Sequence, residues 1–169
     1  RSTDGGLTFS TPQKVNDDPV NPNKWHWFGT FAVAPNGRLD AVWYDTRNAA
    51  NNTDSQLFYS YSTDAGVTWS ANVTVSNSFN PFIGYPNQNK IGDYITIVSD
   101  NTGGNVAYAA TFNGEEDVYY LRVPENTGWN VVDLLYHNQG EENTGWVTEP
   151  LLRNVLAAVP GLKLAKAVS

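Results

Sequence analysis

Cysteine and methionine are absent from this chain of 169 residues, and histidine occurs only twice, at His26 and His137. The first absence excludes a disulfide framework, thiol catalysis and zinc–cysteine sites. The scarcity of histidine argues against a histidine-rich metal centre. Charge is thin as well: Asp, Glu, Lys and Arg make up 16 % of residues, against about a quarter in an ordinary globular domain. Cations are the scarcer sign, ten Lys and Arg against seventeen Asp and Glu, for a net charge of −7. Such a chain offers no broad basic face, so neither a nucleic-acid partner nor docking on anionic lipid is expected. No apolar run approaches the roughly 18 residues of a membrane-spanning helix, so no membrane span is expected.

What remains is aromatic and turn-forming. Aromatic residues reach 13 %, with six Trp and nine Tyr, and the polar set is mostly Asn, Thr, Ser, Gly and Asp. This mixture suits many short strands joined by tight turns, so an all-β fold is expected. The length fits one domain or part of a larger one. The chain opens at Arg1 without Met or a signal peptide, as expected after removal of a leader or when residue 1 is not a natural start. Asn51-Asn52-Thr53 and Asn72-Val73-Thr74 match the N-glycosylation pattern.

Two octapeptides, Ser2-Thr3-Asp4-Gly5-Gly6-Leu7-Thr8-Phe9 and Ser62-Thr63-Asp64-Ala65-Gly66-Val67-Thr68-Trp69, lie sixty positions apart. They agree at Ser, Thr, Asp, the second Gly, Thr and the closing aromatic. Each reads as a hairpin reversal. Asp4 and Asp64 are placed to accept hydrogen bonds from loop amides. Gly6 and Gly66 supply the positive φ that the reversal demands. Phe9 or Trp69 then opens the next strand and plugs the turn against the core. Ser2, Thr8, Ser62 and Thr68 complete the motif, and its aspartates are expected to be structural.

Four strands surround the second octapeptide: Trp27 to Ala34, Arg38 to Tyr44, Gln56 to Tyr61 and Thr68 to Val75. Pro35-Asn36-Gly37 and an Asn-rich loop over 46–54 join the first three. A second set follows at Tyr94 to Val98, Asn105 to Thr111, Asp117 to Val123 and Asn130 to Tyr136. Asn101-Thr102-Gly103-Gly104 is its first turn and Asn126-Thr127-Gly128-Trp129 its third. Apolar side chains on both strand faces are what sheets packed between neighbouring sheets require. A four-stranded antiparallel unit repeating at roughly 60 residues fits a β-propeller blade.

Residues 137–169 break this pattern. Glu142-Asn143-Thr144-Gly145-Trp146 repeats Glu125-Asn126-Thr127-Gly128-Trp129. Glu149 to Val159 then reads as a short amphipathic helix with Leu151, Leu152, Val155, Leu156 and Val159 on one face, closed by Pro160-Gly161. The chain therefore divides into blades over 1–136 and a C-terminal extension over 137–169.

The two Ser-Thr-Asp-x-Gly-x-Thr-aromatic turns resemble Asp-boxes, the signature of the sialidase-like (bacterial neuraminidase repeat) propellers. Val42-Trp43-Tyr44-Asp45-Thr46-Arg47-Asn48 and Ile91-Gly92-Asp93-Tyr94 also resemble recurrent pieces of secreted bacterial members. The resemblance covers residues 1 to about 136 and implies a partial propeller of antiparallel blades. In that family the Asp-box joins the third strand of a blade to the fourth. Residues 1–136 then hold one closing strand and two blades, and the ring is completed by remaining blades or by a second chain. The resemblance further implies a secreted or cell-surface protein acting on glycans, an exo-sialidase type of glycoside hydrolase. The alternative is a non-catalytic propeller module that binds glycan or protein at a cell surface or matrix.

Ligands of such propellers meet the starts of the innermost strands. Here those starts carry Trp25, His26 and Trp27 in one unit and Asp93 and Tyr94 in the other. Trp and Tyr rings stack on sugars while Asp and His orient hydroxyls, unless Trp27 and Tyr94 are core and His26 is structural. Asp45 and Arg47, two apart on an extended segment, point the same way, to hold a polar ligand or to pair with each other. Asn48, Asn51, Asn52 and Asp54 offer oxygens for Ca²⁺, or form an ordinary solvated turn. No other cofactor is implied. Sialidases use a Tyr nucleophile assisted by Glu, an Asp acid/base and three arginines that clamp the substrate carboxylate. The Arg-Ile-Pro motif that carries the first arginine is absent here, so no catalytic residue is assigned.

Overall fold

The computed structural model describes residues 1–84 and 89–124 together with the backbone of the strand 133–137. Its elements are β1 (His26–Val33), β2 (Leu39–Asp45), β3 (Gln56–Ser62), β4 (Val73–Thr74), β5 (Thr96–Asp100), β6 (Gly103–Ala110), β7 (Asp117–Pro124) and β8 (Asp133–His137). All pairings are antiparallel. β1-β2-β3-β4 form one sheet, and β5-β6-β7 form the second, with β8 bonded along β7. The chain is all-β with antiparallel sheets, and the described residues contain no helix. The expected helix at Glu149 to Val159 and the expected turn at Asn126 to Trp129 lie outside the described residues.

The strands form where β-branched and aromatic residues cluster between turn residues. At Pro35-Asn36-Gly37 the chain reverses with Gly37 at φ 88°, and its amide donates to the Ala34 carbonyl. β2 is buried along nearly its whole length because both of its faces are covered. Val42 and Tyr44, with Leu57 and Tyr59 of β3, share the main core with Ile97, Val106, Leu121 and Val123 of the second sheet. The opposite face carries Ala41, Trp43 and Phe58, packed with Val15 and Trp69.

β1 holds a β-bulge. Trp27 pairs with Tyr44 and Thr30 with Val42, so Phe28 and Gly29 together oppose Trp43. Phe28 takes φ 49°, an unusual backbone for a bulky residue. The extra residue breaks the alternation, so the adjacent Trp27 and Phe28 both pack against the inter-sheet core.

Two expectations need correcting. The strand expected over Thr68 to Val75 is pared to Val73–Thr74, because serines meet the edge of β3 in its place. Ser70 Oγ accepts from the Tyr61 amide and Ser76 Oγ from the Leu57 amide. Phe9 does not open a strand either. It is 72 % exposed, since no strand forms between it and β1 against which it could pack.

Candidate functional site

The expected site residues gather at one end of the sheets. Arg38, where β2 begins, donates to the Asp100 carbonyl at the close of β5, so β1 and β5 run in the same direction. Their starts, with Trp25, His26 and Tyr94, therefore lie at one end, together with the close of β2 at Asp45. Both octapeptide turns form, and the second lies at the other end, after Ser62, which pairs with Leu39.

The two turns share one hydrogen-bond pattern. Asp4 Oδ1 accepts from the Thr8 amide and Oδ2 from Thr8 Oγ1, while Ser2 Oγ accepts from the Gly6 amide. Asp64 does the same with Thr68, and Ser62 with Gly66. Gly6 and Gly66 have φ of 90° and 78°. Each pair of flanks is closed by a backbone bond of 2.8 Å, Ser10 to Arg1 and Ser70 to Tyr61. The Thr68 hydroxyl, then its amide and the Ser62 hydroxyl, hold the Asp64 carboxyl down at about 2. Trp69 plugs its turn against the Trp43–Phe58 face. In each turn the Ser and Asp side chains thus hold backbone amides, and the Thr hydroxyl braces the Asp carboxylate.

At the site end, the bulge-bearing β1 brings His26 opposite Asp45. His26 Nε2 lies 3.0 Å from Asp18 Oδ1 and 3.3 Å from Asp45 Oδ2. Arg47 reaches back over its own turn: Nε and Nη2 are 2.8 and 2.7 Å from Asp45 Oδ2. Its Nη1 is 2.7 Å from Asp17 Oδ1 and its Nη2 3.2 Å from Asp18 Oδ1. The guanidinium also lies 4.3 Å from the centre of the Phe58 ring. Asp45 is wholly buried and accepts further bonds from Trp43 Nε1 and the Arg47 amide. Burial alone would raise Asp18, but Asn16, Arg47 and His26 outweigh it and hold the carboxyl below its ordinary range. Asp17 is lowered likewise, by the Asn72 amide and Arg47 against its burial. Arg47, which burial alone would lower, is raised by Asp45 and Asp17.

This cluster ties residues 15–18 onto the first sheet. Asn72 completes the tie, accepting from the Asp17 amide and donating to the Val15 carbonyl. Asp45 and Arg47 therefore pair with each other, and His26 joins them. Asp17, Asp18 and Asn72 were not anticipated; nothing in their local sequence signals a partner 25 to 55 positions away.

Asp18, His26 and Asp45 have the composition of a metal site, with ligand atoms within 4.8 Å of one another. Both carboxylates are already engaged: Asp45 Oδ2 receives Trp43 Nε1 and two guanidinium nitrogens, and Asp18 Oδ1 receives Asn16 Nδ2 and lies 3.2 Å from Arg47 Nη2. In the 48–54 loop one of the candidate oxygens is used by the loop itself. Asn51 Oδ1 accepts from the Thr53 and Asp54 amides, Asn48 donates to Gln56, and Asn52 sits at φ 61°.

The aromatic candidates separate. Trp27 packs, partly buried, against the core, its ring tilted at 38° to that of Tyr44 with centroids 4.5 Å apart, and it donates to Ser55. Trp25 and Tyr94 are 63 % and 92 % exposed, and Asp93 is an exposed partner of Lys90. Arg38, Arg47 and Arg122 each pair with an aspartate: Asp40, Asp45 and Asp100. Among the described residues no helix is long and apolar enough to cross a membrane. Comparison with protein-family models, with curated proteins and with solved structures finds no match to this chain.

Proposed function

We propose that the two sheets are blades of a secreted, sialidase-like Asp-box propeller acting on glycans, and that this chain contributes a sugar-contacting rim. The observation that carries the reading is the shared hydrogen-bond pattern of the Asp4 and Asp64 turns, which matches two octapeptides of one signature to one geometry. The order β1-β2-β3-β4, with an Asp-box between β3 and β4, supports a blade, as does face-to-face stacking onto a second antiparallel sheet. Apolar residues left outward on the first sheet, Phe31 and Val33, and on the second, Val98 and Val118, suit further blades on either side. On this reading Trp25 and Tyr94 present ring faces for pyranoses at the mouth of the ring.

The engagement of Arg38, Arg47 and Arg122 with aspartates favours glycan binding over catalysis for this part of the molecule. A bidentate carboxylate clamp needs guanidinium edges that face a ligand. The test is retention on immobilised glycans, paired with turnover of a fluorogenic sialoside. The expected result is retention that Trp25→Ala and Tyr94→Ala abolish, with no turnover by this chain alone. Failure of every glycan to retain the chain would overturn the binding role, and sialoside turnover would overturn the division of labour.

A further inference from the structure

The tripeptides Asn51-Asn52-Thr53 and Asn72-Val73-Thr74 share one sequence pattern but occupy opposite environments. Asn51, Asn52 and Thr53 are all exposed, at the tip of the loop between β2 and β3. Asn51 turns its Oδ1 inward, where the Thr53 and Asp54 amides donate to it at 3.1 and 2.9 Å. Its Nδ2 is thereby directed away from the loop backbone. Two hydrogen bonds into the carbonyl oxygen also draw electron density from the carboxamide, which makes the Nδ2 proton easier to remove. Asn72 is used on every side. Its Nδ2 donates to the Val15 carbonyl at 3.0 Å. Its Oδ1 accepts from the Asp17 amide at 2.7 Å and Arg47 Nη2 at 3.1 Å, and its own amide donates to Asp17 Oδ2 at 2.9 Å. A sugar on that nitrogen would occupy the place of residues 15–18.

We propose that Asn51 is an N-glycan acceptor and that Asn72, despite the same pattern, is not. The donor is a lipid-diphosphate-linked oligosaccharide, and an oligosaccharyltransferase carries out the transfer. The bond from Asn51 Nδ2 to the anomeric carbon forms and the bond from that carbon to the diphosphate oxygen breaks. The electron pair leaves with the lipid diphosphate, and one carboxamide proton passes to a base of the transferase. A bulky, solvated glycan is tolerated at an exposed loop tip and not inside a packed tie. In its natural setting this inference rests on the extracellular location proposed above.

The test supplies the location by itself. The full chain is produced behind a cleavable leader in eukaryotic secretory cells, and lysate and medium are both treated with an amidase that converts glycosylated Asn to Asp. Peptide mass then reads each position. The expected result is conversion at residue 51 alone, lost in Thr53→Ala, kept in Thr53→Ser and kept in Asn72→Gln. An unmodified Asn51 in translocated chain, or folded chain carrying its glycan at residue 72, would overturn the proposal. Where the untagged chain accumulates in its own source is a separate measurement, and an intracellular result there refutes the secreted reading without touching the assignment of the acceptor.

Discussion

The Tyr44 hydroxyl, on a ring with no exposure to solvent, donates to the Ala109 carbonyl of the opposite sheet at 2.7 Å. The ring packs against Trp27, Phe28 and Phe79 on its own side of the interface. Burial pushes the phenol well above its ordinary range, so it is a neutral donor at any working pH. Tyr44→Phe keeps the ring and removes the donor. The expected cost is about 1 kcal/mol, rising towards about 3 if the carbonyl is left without a partner. The urea midpoint should fall at unchanged slope. An unchanged midpoint would mean that this tie between the sheets contributes nothing.

The Asp64 turn gives a pH dependence of known sign. Its carboxyl sits at about 2 in the folded chain against 3.8 ordinarily, chiefly through the Thr68 hydroxyl. A group whose folded value lies below its unfolded one contributes stability that is complete above the unfolded value and is lost as pH falls through the folded one. Stability should therefore decline from about pH 4 towards pH 2. The decline is modest because the turn is open to water. Asp64→Asn should flatten that part of a urea-midpoint profile. Asp4→Asn should leave the profile unchanged, since the Ser2–Phe9 turn flanks no strand and can open alone. Equal effects of the two variants would show that residues 1–10 unfold together with the sheets.

The strands and both octapeptide turns were legible in the sequence because they rest on local chemistry. Gly37 in its turn and Asp–Thr spacing of four each act within a few residues. The tie at Arg47 was legible only in half. Asp45 and Arg47 are neighbours on an extended segment, but Asp17 and Asn72 come from distant segments and carry no pattern of their own. Tyr94 and Trp27 looked alike as aromatics at strand starts. The bulge at Phe28 turns Trp27 into the core, and such a one-residue irregularity leaves no periodic signal. The shortness of β4 was hidden for a similar reason: serine side chains substitute for backbone partners along β3.

Gly103 and Gly104 open β6 side by side, yet they should respond differently to alanine. A Cβ on Gly103 would lie 2.2 Å from the Val123 carbonyl oxygen and 2.9 Å from Pro124 Cα, both backbone atoms of the paired strand. A Cβ on Gly104 would meet Ile97 Cδ1 at 2.9 Å, the free end of a flexible side chain. Gly103→Ala is expected to cost about 3 kcal/mol or more by forcing β6 and β7 apart. Gly104→Ala should cost about 1 kcal/mol after Ile97 changes rotamer. Denaturant unfolding of the two variants checks the order, and equal losses would refute the backbone clash as the cause.

Arg47 is the one residue that touches all three aspartates of the tie, and its partners differ in burial. Asp45 has no side-chain exposure, whereas Asp17 is 49 % exposed. Arg47→Ala takes the guanidinium away from the buried Asp45 carboxylate, which keeps Trp43 Nε1, a backbone amide and His26 Nε2 at 3.3 Å. Leaving a buried charge without its counter-ion costs about 3–5 kcal/mol. Asp17→Asn removes a rim partner and should cost no more than about 1 kcal/mol. Arg47→Lys keeps the charge but not the fork that spans Asp45 and Asp17, so it should fall between the two. Residues 15–18 lose their anchor in Arg47→Ala, and trypsin should then cut after Lys14 faster than in the parent chain under native conditions. Unchanged cleavage there, alongside a lowered urea midpoint, would mean that Asn72 and His26 hold the segment and that Arg47 serves only Asp45.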